Sequence, residues 1–349
     1  MSLIFSRWLR RLLCLACLAC TNPAAWAQDG PGLQRLYLPA PARERPLEVL
    51  LWYPAEPGGK ALLLGENQLF KGSPVRQDAP AAPGRYPLLL LSHGSGGNAA
   101  NMGWLAGPLA QQGFIVAAPN HPGTTTGDST PEATMRIWER PADISAVLSA
   151  LLAHPDWQAR IQPDRVAVLG FSLGGHTALA LAGARVNLDS YARYCKDPAA
   201  MTVRLGECRW LAGSPVGLRQ LDATRFGQSF KDPRIQQAIA IDPGLAQAFE
   251  VDSLRSITVP VQIINLGRPG THPRAVAAAP LAQAIPGSGY ATVPDAIHFS
   301  FLLECQANGR AVLATEGDSD PLCDDGGSRP RADIHAELLR LVSKTLVRP

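Results

Sequence analysis

Short apolar runs bounded by turn residues alternate along the chain with segments whose apolar positions recur every three or four residues. The runs predict buried strands, at 47–54, 86–94, 114–123, 164–172, 235–242, 259–267 and 289–296. The helical spacing predicts helices, at 102–112, 140–154, 173–184 and 331–346. Alternation of this kind is typical of an α/β fold, with a mostly parallel sheet and helices on both of its faces.

Two segments are too long and too polar to be simple connections between a helix and a strand. Residues 187–233 predict a cap or lid insertion and residues 303–330 predict a second excursion, within one domain that covers 28–349. The apolar side chains of the cap either line a pocket or pack the cap onto the body, and packing is favoured because most such side chains are buried. These side chains are Leu205, Trp210, Leu211 and Leu218.

The composition is that of a globular protein, and the first residues have the pattern of an export signal. The chain has 349 residues, 46% hydrophobic and 17% charged, which is enough to bury a large core. Three arginines precede a short apolar run at 12–20, and small residues lead to a cleavage site at Ala27. The run is shorter than the roughly 20 residues that cross a bilayer. We predict a signal peptide at 1–27 and a periplasmic or secreted protein. A lipoprotein is the alternative, because Cys17 and Cys20 each follow Leu-Ala.

The charge of the chain gives no indication of a polyanionic partner. The formal net charge is +3, and removal of the three arginines of the signal segment brings it to zero. The remaining chain has no block rich in Lys or Arg, so we expect neither nucleic acid nor an anionic membrane as a partner. No integral membrane segment is expected in the mature chain, and the sequence leaves the oligomeric state open.

Four cysteines lie outside the signal segment: Cys195, Cys208, Cys305 and Cys323. An even number in an exported chain favours disulfides, and four cysteines allow three connectivities. Proximity along the chain favours the pairs Cys195–Cys208 and Cys305–Cys323. None of the four has the spacing of a metal ligand.

The segment LGFSLGGHTA, residues 169–178, places Ser172 between glycines, after an apolar run and before a helical one. The pattern G-x-S-x-G in this context is typical of a nucleophilic serine on a sharp strand-to-helix turn, where the glycines give the turn room. The helix that follows would direct backbone N–H groups towards developing negative charge. The alternative is an ordinary serine that caps the helix.

The segment SHGSGG, residues 92–97, follows a predicted buried strand. It begins a G-x-G-x-x-A pattern at Gly94, but a dinucleotide site would need an acidic residue about 20 positions further on, and the next one is Asp128. A loop that binds an oxyanion fits better. We expect the N–H groups of Ser95 and Leu173 to hold the oxygen of a tetrahedral intermediate, and His93 to organise the loop.

A serine nucleophile needs a base, and with this strand–turn–helix arrangement the chain order is serine, acid, histidine. His298 lies in a loop between a late strand and an apolar segment, where the base is expected. The other histidines that follow the serine fit less well, because His176 is one turn into the helix and His272 comes too early. His335 falls in the last amphipathic helix and is predicted to be a surface residue.

The acid is predicted to lie one strand earlier than in most proteins with this order of residues. The strand at 259–267 is followed by RPGTHPRAVAA, which contains no carboxylate, whereas the strand before it ends in Asp242 and a Pro-Gly turn. A carboxylate there could reach the same histidine from the neighbouring strand tip. Glu250 and Asp252 are the alternatives, and Asp242 is otherwise explained as a turn-forming residue.

Taken together, these motifs resemble the α/β-hydrolase family in its dienelactone-hydrolase-like group, and within it the branch similar to platelet-activating-factor acetylhydrolases. The resemblance covers most of the mature chain and rests on LLLLSHGSGG, VAAPNHPGTTTGD, WERPADISAVLSALL, VAVLGFSLGGHTAL and AIHFSFLLEC. That branch places its acid after the earlier strand, which supports Asp242. Dienelactone hydrolases use a cysteine nucleophile where this chain has Ser172, so their activity is not implied.

The resemblance implies an exported serine hydrolase that cleaves small or lipid-like carboxylic esters through Ser172, His298 and Asp242. The reaction would pass through an acyl-enzyme and needs no cofactor or metal. A lactone, amide or peptide substrate would use the same mechanism, and the sequence does not separate these classes. A non-catalytic binding protein on the same scaffold is the remaining hypothesis, which the serine, the histidine and the oxyanion loop disfavour.

Overall fold

The computed structural model of the protein describes residues 30–202, 207–214, 216–317 and 320–346. The predicted signal peptide at 1–27 and Leu205 of the predicted cap lie outside these residues. Within them, one large sheet organises the chain.

The sheet has ten strands, most of which are parallel. They are β1 (Gly32–Leu38), β2 (Leu47–Tyr53), β3 (Lys60–Leu64), β4 (Ser73–Gln77), β5 (Tyr86–Ser92), β6 (Ile115–Pro119), β7 (Ile161–Phe171), β8 (Gln237–Ile241), β9 (Val261–Leu266) and β10 (Gly289–Val293). Their order across the sheet is β10-β9-β8-β7-β5-β6-β2-β1-β4-β3. The six strands from β10 to β6 are parallel to one another, and β2 pairs antiparallel with β6. The predicted fold class is therefore confirmed.

Helices connect the parallel strands and also lie within the two long segments at 187–233 and 303–330. They are α1 (Gly103–Gln111), α2 (Pro131–Met135), α3 (Glu139–Ala153), α4 (Leu173–Ala182), α5 (Leu188–Tyr194), α6 (Pro198–Thr202), α7 (Glu207–Ala212), α8 (Ala223–Gly227), α9 (Val251–Arg255), α10 (Ala279–Ala284), α11 (Gly309–Glu316) and α12 (Arg331–Leu346).

Two apolar cores lie on the two faces of the sheet. Alternate residues of β5 contribute to them, with Leu88 and Leu90 in one core and Leu89 and Leu91 in the other, because successive side chains of a strand point to opposite faces. Helices α3, α4, α9 and α10 cover the first face, and α1 and α12 cover the second. A strand that is buried on both faces is continuously apolar, as predicted from the sequence.

The sequence pattern missed three strands at the antiparallel end of the sheet. Strand β1 has neither a continuous apolar run nor a strict alternation, because Gln34 and Arg35 are adjacent, and Tyr37 within it is 66% exposed. Strand β3 is largely exposed, and β4 carries Pro74 next to its first residue. These strands lie at or near an edge, so they lack the continuous burial on both faces that makes the central strands recognisable.

The described part of the segment at 187–233 forms short helices, and its apolar side chains share a cluster with residues of the body such as Trp138, Leu173 and Leu245. The Cys195–Cys208 disulfide joins α5 to α7, as predicted from proximity. Leu211 is buried in this cluster, whereas Trp210 is 46% exposed. The expectation that the apolar residues pack the cap onto the body is therefore wrong for Trp210. The second predicted disulfide, Cys305–Cys323, closes the excursion that contains α11.

The prediction that His335 is a surface residue is wrong. Its imidazole is stacked on the Trp104 ring at 3.7 Å between centroids, and its Nε2 donates to the carbonyl oxygen of Ser300 at 3.0 Å. The side chain lies on the buried face of α12 beside Ile334 and Leu338. Burial lowers the pKa of His335 to about 4, and the Arg331 charge adds to this effect.

Among the described residues, no helix is both long and apolar enough to cross a membrane.

Acid should destabilise the fold partly through His335. Between pH 6.5, the ordinary pKa, and about 4, the unfolded chain binds a proton at this residue that the folded chain does not. The free energy of unfolding therefore falls as pH falls through this window, with a slope that approaches about 1.4 kcal/mol per pH unit for one group. Urea denaturation at several pH values should show a shallower slope for His335→Gln than for the wild type. The same substitution at the partly exposed His154 is the control, and equal slopes for His335→Gln and wild type would refute the prediction.

Candidate active site

Ser172 stands on a tight turn between β7 and α4. Its backbone has φ 56° and ψ −121°, a left-handed conformation that is strained for a residue with a side chain. The surrounding backbone holds this conformation: the Ser172 N–H donates to the Ile241 carbonyl at 3.0 Å, and its own carbonyl accepts from the N–H groups of Gly175 and Gly244, both at 2.8 Å. The side chain makes no capping hydrogen bond to α4, so the helix-cap interpretation has no support.

The glycines around Ser172 are required by close backbone contacts. A Cβ atom at Gly170 would lie 1.8 Å from the Gly174 carbonyl oxygen, and one at Gly174 would lie 1.8 Å from the Ser92 carbonyl oxygen. Neither neighbour is a flexible side chain that could move aside. The G-x-S-x-G spacing therefore reflects how closely the turn approaches the end of β5.

The structure brings Asp242 and His298 to Ser172. The His298 Nε2 lies 3.1 Å from the Ser172 Oγ, and its Nδ1 lies 2.9 Å from the Asp242 Oδ2. Asp242 follows β8 and is fully buried, while His298 is 8% exposed. A carboxylate can only accept, so Nδ1 carries the imidazole proton and Nε2 presents its lone pair to the serine hydroxyl.

The second oxygen of Asp242 is held in place by its neighbours on β9. Its Oδ1 accepts from the Asn265 Nδ2 at 2.7 Å and from the Leu266 N–H at 2.8 Å. The sequence reading missed Asn265, whose own oxygen accepts from the Tyr290 hydroxyl and the Ala278 N–H, both at 3.0 Å. A buried amide in an apolar strand was the signal that could have identified it.

The two alternative acids lie away from the histidine. Glu250 is paired with Arg185 at 2.8 Å. Asp252 has a side chain that is 95% exposed and is paired with Arg255 at 3.2 Å. Neither carboxylate has a contact with His298 among the described residues.

The two predicted oxyanion donors line a cleft with Ser172 and His298. In the described part of the chain, the N–H groups of Ser95 and Leu173 donate to no protein acceptor, so both are free to bind a ligand oxygen. The loop passes close to the serine, since a Cβ at Gly94 would lie 3.2 Å from the Ser172 Cβ. The cleft has a volume of about 640 Å³, and its other walls come mainly from α7, the end of α2 and the His298 loop.

A buried group of charged side chains beneath the oxyanion loop was also missed. Arg140 and Asp143 are 2% and 1% exposed. Both lie in WERPADISAVLSALL, residues 138–152, whose helical period predicts α3 but does not reveal that the two charges are buried. Both residues fall on the same face of α3 as Ile144 and Val147, and charges on an apolar helix face could have identified the group.

In the described part of the chain, no cluster of three or more His, Cys, Asp or Glu is arranged to hold a metal.

A family model matches more than half of the chain, including the segments that carry Ser172, Asp242 and His298. Residues 88–314 match the model of the alpha/beta hydrolase family. The chain belongs to the alpha/beta hydrolase family. Residues 33–134 of this hydrolase also match the model described as platelet-activating factor acetylhydrolase, isoform II. The resemblance stated from the motifs is thus confirmed.

Three individual proteins similar to this alpha/beta hydrolase have either low sequence identity to it or a short matching segment. The protein NocK of Nocardia uniformis subsp. tsuyamanensis, whose name assigns it provisionally to the esterases, is 37% identical over 106 residues, and that segment spans 30% of each chain. A ferulic acid esterase from Streptomyces cinnamoneus has a similar structure and is 19% identical in sequence. The match covers 91% of this chain and 88% of the esterase, with a TM-score of 0.56. The dienelactone hydrolase-like phosphotriesterase P91, from metagenomic libraries, is 13% identical in sequence. The match covers 90% of this chain and 99% of P91, with a TM-score of 0.51. At these identities the two structures show the shared fold.

Proposed function

We propose that this alpha/beta hydrolase is an exported serine esterase that cleaves carboxylic esters through Ser172, His298 and Asp242. The observation that carries the proposal is the continuous hydrogen-bond chain from the Ser172 Oγ through the His298 ring to the Asp242 carboxylate. A serine hydroxyl is a weak nucleophile unless a base removes its proton, and here the base faces the hydroxyl in the required tautomer.

In the first half of the reaction, His298 Nε2 accepts the proton of the Ser172 hydroxyl as Oγ attacks the ester carbonyl carbon. The carbonyl oxygen becomes an oxyanion, to which the N–H groups of Ser95 and Leu173 donate. The imidazolium is stabilised by Asp242. It then gives its proton to the leaving alkoxide, and the alcohol departs from an acyl-enzyme.

In the second half, a water molecule takes the place of the alcohol. His298 accepts a proton from this water as its oxygen attacks the acyl carbon, and the same N–H groups bind the second oxyanion. The imidazolium returns the proton to the Ser172 Oγ, which releases the carboxylic acid. The side chains supply every proton transfer, so the proposed reaction needs no cofactor.

The cleft supports an ester with a substantial apolar group. Leu173, Trp210, Val276 and Phe299 give its wall apolar surface. Trp210 comes from the segment at 187–233, which we therefore propose as the cap. One structurally similar protein is named a ferulic acid esterase, and residues 33–134 match a family model named for an acetylhydrolase. A small aromatic or lipid-like ester is the substrate class most compatible with this surface.

Hydrolysis of a panel of p-nitrophenyl esters, from acetate to palmitate, tests the proposal against anilides of the same acids. We expect the esters to be cleaved and a fluorophosphonate probe to label Ser172 in the wild type. Ser172→Ala should lower kcat by several orders of magnitude, on the order of 10⁶-fold for loss of a serine nucleophile, without loss of thermal stability. A folded wild type that neither cleaves any ester nor reacts with the probe would instead indicate a binding protein.

Asp242→Asn should lower kcat by about 10⁴-fold. The amide oxygen of the variant can keep the bonds from Asn265 and Leu266, so its NH₂ group faces the His298 Nδ1. The imidazole would then carry its proton on Nε2, where it cannot accept from Ser172. Asp252→Asn and Glu250→Gln are matched controls that should retain wild-type kcat. Near-normal turnover by Asp242→Asn would rule out the assigned acid.

Export is supported by the sequence pattern at 1–27 and by the two disulfides, which are typical of proteins in oxidising compartments. N-terminal sequencing of the protein recovered from periplasm or medium should begin at residue 28. A lipid-modified cysteine at the start of the mature chain would support the lipoprotein alternative, and a start at Met1 would contradict cleavage.

A further inference from the structure

The oxyanion loop lies on a buried charged side chain that the proposed mechanism does not use. Arg140 is 2% exposed and lies on α3 beneath the loop at 92–97. One end of its guanidinium group donates to the His93 carbonyl oxygen and, at 3.3 Å, to the Ser92 Oγ. The other end donates to the Thr124 Oγ1 at 2.5 Å. One planar cation thus ties together the end of β5 and the loop after β6.

The loop after β6 is in turn bonded to the oxyanion loop. The Thr124 carbonyl accepts from the Gly96 N–H at 2.9 Å, and the Gly97 carbonyl accepts from the Thr126 N–H at 2.8 Å. The Thr126 hydroxyl donates to the Gly96 carbonyl at 2.7 Å. Because Arg140 holds Thr124, it supports the oxyanion loop from this side as well.

Hydrogen-bond chemistry fixes the proton positions on His93. Its Nε2 lies 3.2 Å from the backbone nitrogen of His121, which can only donate. Nε2 must therefore accept, and the ring proton is on Nδ1. That proton is donated to the Gly94 carbonyl oxygen at 2.7 Å. Burial lowers the pKa of His93 well below its usual range, and the Arg140 charge adds to this effect, so the ring stays neutral in this tautomer.

The Gly94 carbonyl belongs to the same peptide unit as the Ser95 N–H. A peptide unit is planar and its C=O and N–H point in opposite directions. A donor that holds the carbonyl oxygen therefore also fixes the direction of the N–H. It also polarises the unit, which makes the N–H a stronger donor. The Gly97 N–H gives the same carbonyl a second bond at 3.1 Å.

The negative partner of this group is Asp143. Its carboxylate accepts two bonds from Arg43, both at 2.7 Å, and one from the His121 Nδ1 at 2.8 Å. The neutral His121 ring then accepts from the Ser92 hydroxyl at 3.0 Å. That hydroxyl is thereby oriented to accept from Arg140. Each member of the chain has a defined donor or acceptor role, so its geometry is strongly specified.

We propose that Arg140 is the positioning residue of the oxyanion site: through His93 and Thr124 it holds the Gly94–Ser95 peptide so that its N–H points at the reacting oxygen. This inference rests on the proposed function, because the direction of the Ser95 N–H matters only if Ser172 is acylated. Arg140 itself does not touch the substrate.

Arg140→Met should lower kcat towards a chosen p-nitrophenyl ester by about 10²–10³-fold, the cost of a lost oxyanion donor, with KM changed by less than about threefold. Arg140→Lys should be intermediate, because one ammonium group cannot reproduce the fork that reaches His93, Ser92 and Thr124. The matched control is Arg234→Met, which removes another arginine that bonds to α3, at the Ser145 carbonyl and Ser149, away from the cleft. This control should keep wild-type kcat and KM.

A trifluoromethyl ketone distinguishes positioning from general loss of structure. It forms a hemiketal oxyanion with a reactive serine, so its inhibition constant measures the donors directly. Across the Arg140 variants, the inhibition constant should rise by the same factor by which kcat/KM falls. A folded Arg140→Met protein with the inhibition constant and kcat of the Arg234→Met control would overturn the proposal, as would an effect confined to KM.

A pair of substitutions at His93 decides the case if Arg140→Met does not fold. The amide NH₂ of His93→Asn can replace the Nδ1–H bond to the Gly94 carbonyl, whereas His93→Leu cannot. We expect the asparagine variant to keep kcat within about tenfold of wild type, and the leucine variant to lose about 10²–10³-fold. Equal activities in two folded variants would overturn the proposal. Wild-type esterase activity and probe labelling are scored separately, so failure of the proposed function is distinguishable from failure of this inference.

Discussion

The carbonyl oxygen of Ser92 at the end of β5 lies so close to residue 174 that no side chain fits between them. This contact sets how closely the turn after β7 approaches the end of β5, and backbone hydrogen bonds with Ile241, Gly175 and Gly244 hold Ser172 in its left-handed conformation within that turn. Strands β5, β7 and β8 are neighbours and parallel, so their carboxyl ends meet at one edge of the sheet. The predicted oxyanion loop, nucleophile and acid each follow one of these ends. The geometry of the site is therefore mainly a consequence of backbone packing.

Sequence reading identified the parts of this arrangement that depend on short-range pattern. The strand, the G-x-S-x-G turn and the helix around Ser172 are contiguous, and the absence of a carboxylate in the segment after β9 favours Asp242, at the end of β8, as the acid. Long-range partners were beyond the pattern: the amide of Asn265 stands out within its apolar strand, but its neighbours in the chain do not indicate that its partner is Asp242. His335 was misjudged since an imidazole on an amphipathic helix is compatible with either face, and only the Trp104 ring across the interface decides between them.

Charges on α3 illustrate how polar residues can specify an otherwise apolar interior. Arg140 and Asp143 take the place of core residues on the face that packs against the sheet. Burying ions is costly unless they are paired and hydrogen-bonded. Here the partners are side chains and a carbonyl next to the predicted oxyanion loop, and of the Arg140 nitrogens only Nε has no partner among the described residues. Apolar residues of similar size could stabilise the fold as well, but they could not orient peptide groups.

Both disulfides lie beside the cleft, and neither crosses it. Cys195–Cys208 lies in the segment that contributes Trp210 to the cleft, and Cys305–Cys323 closes a second segment, which contributes Asp320. Each covalent bond therefore defines the shape of one segment only. Neither of these disulfides joins one segment to the other, so the separation of the two segments across the cleft depends on noncovalent packing.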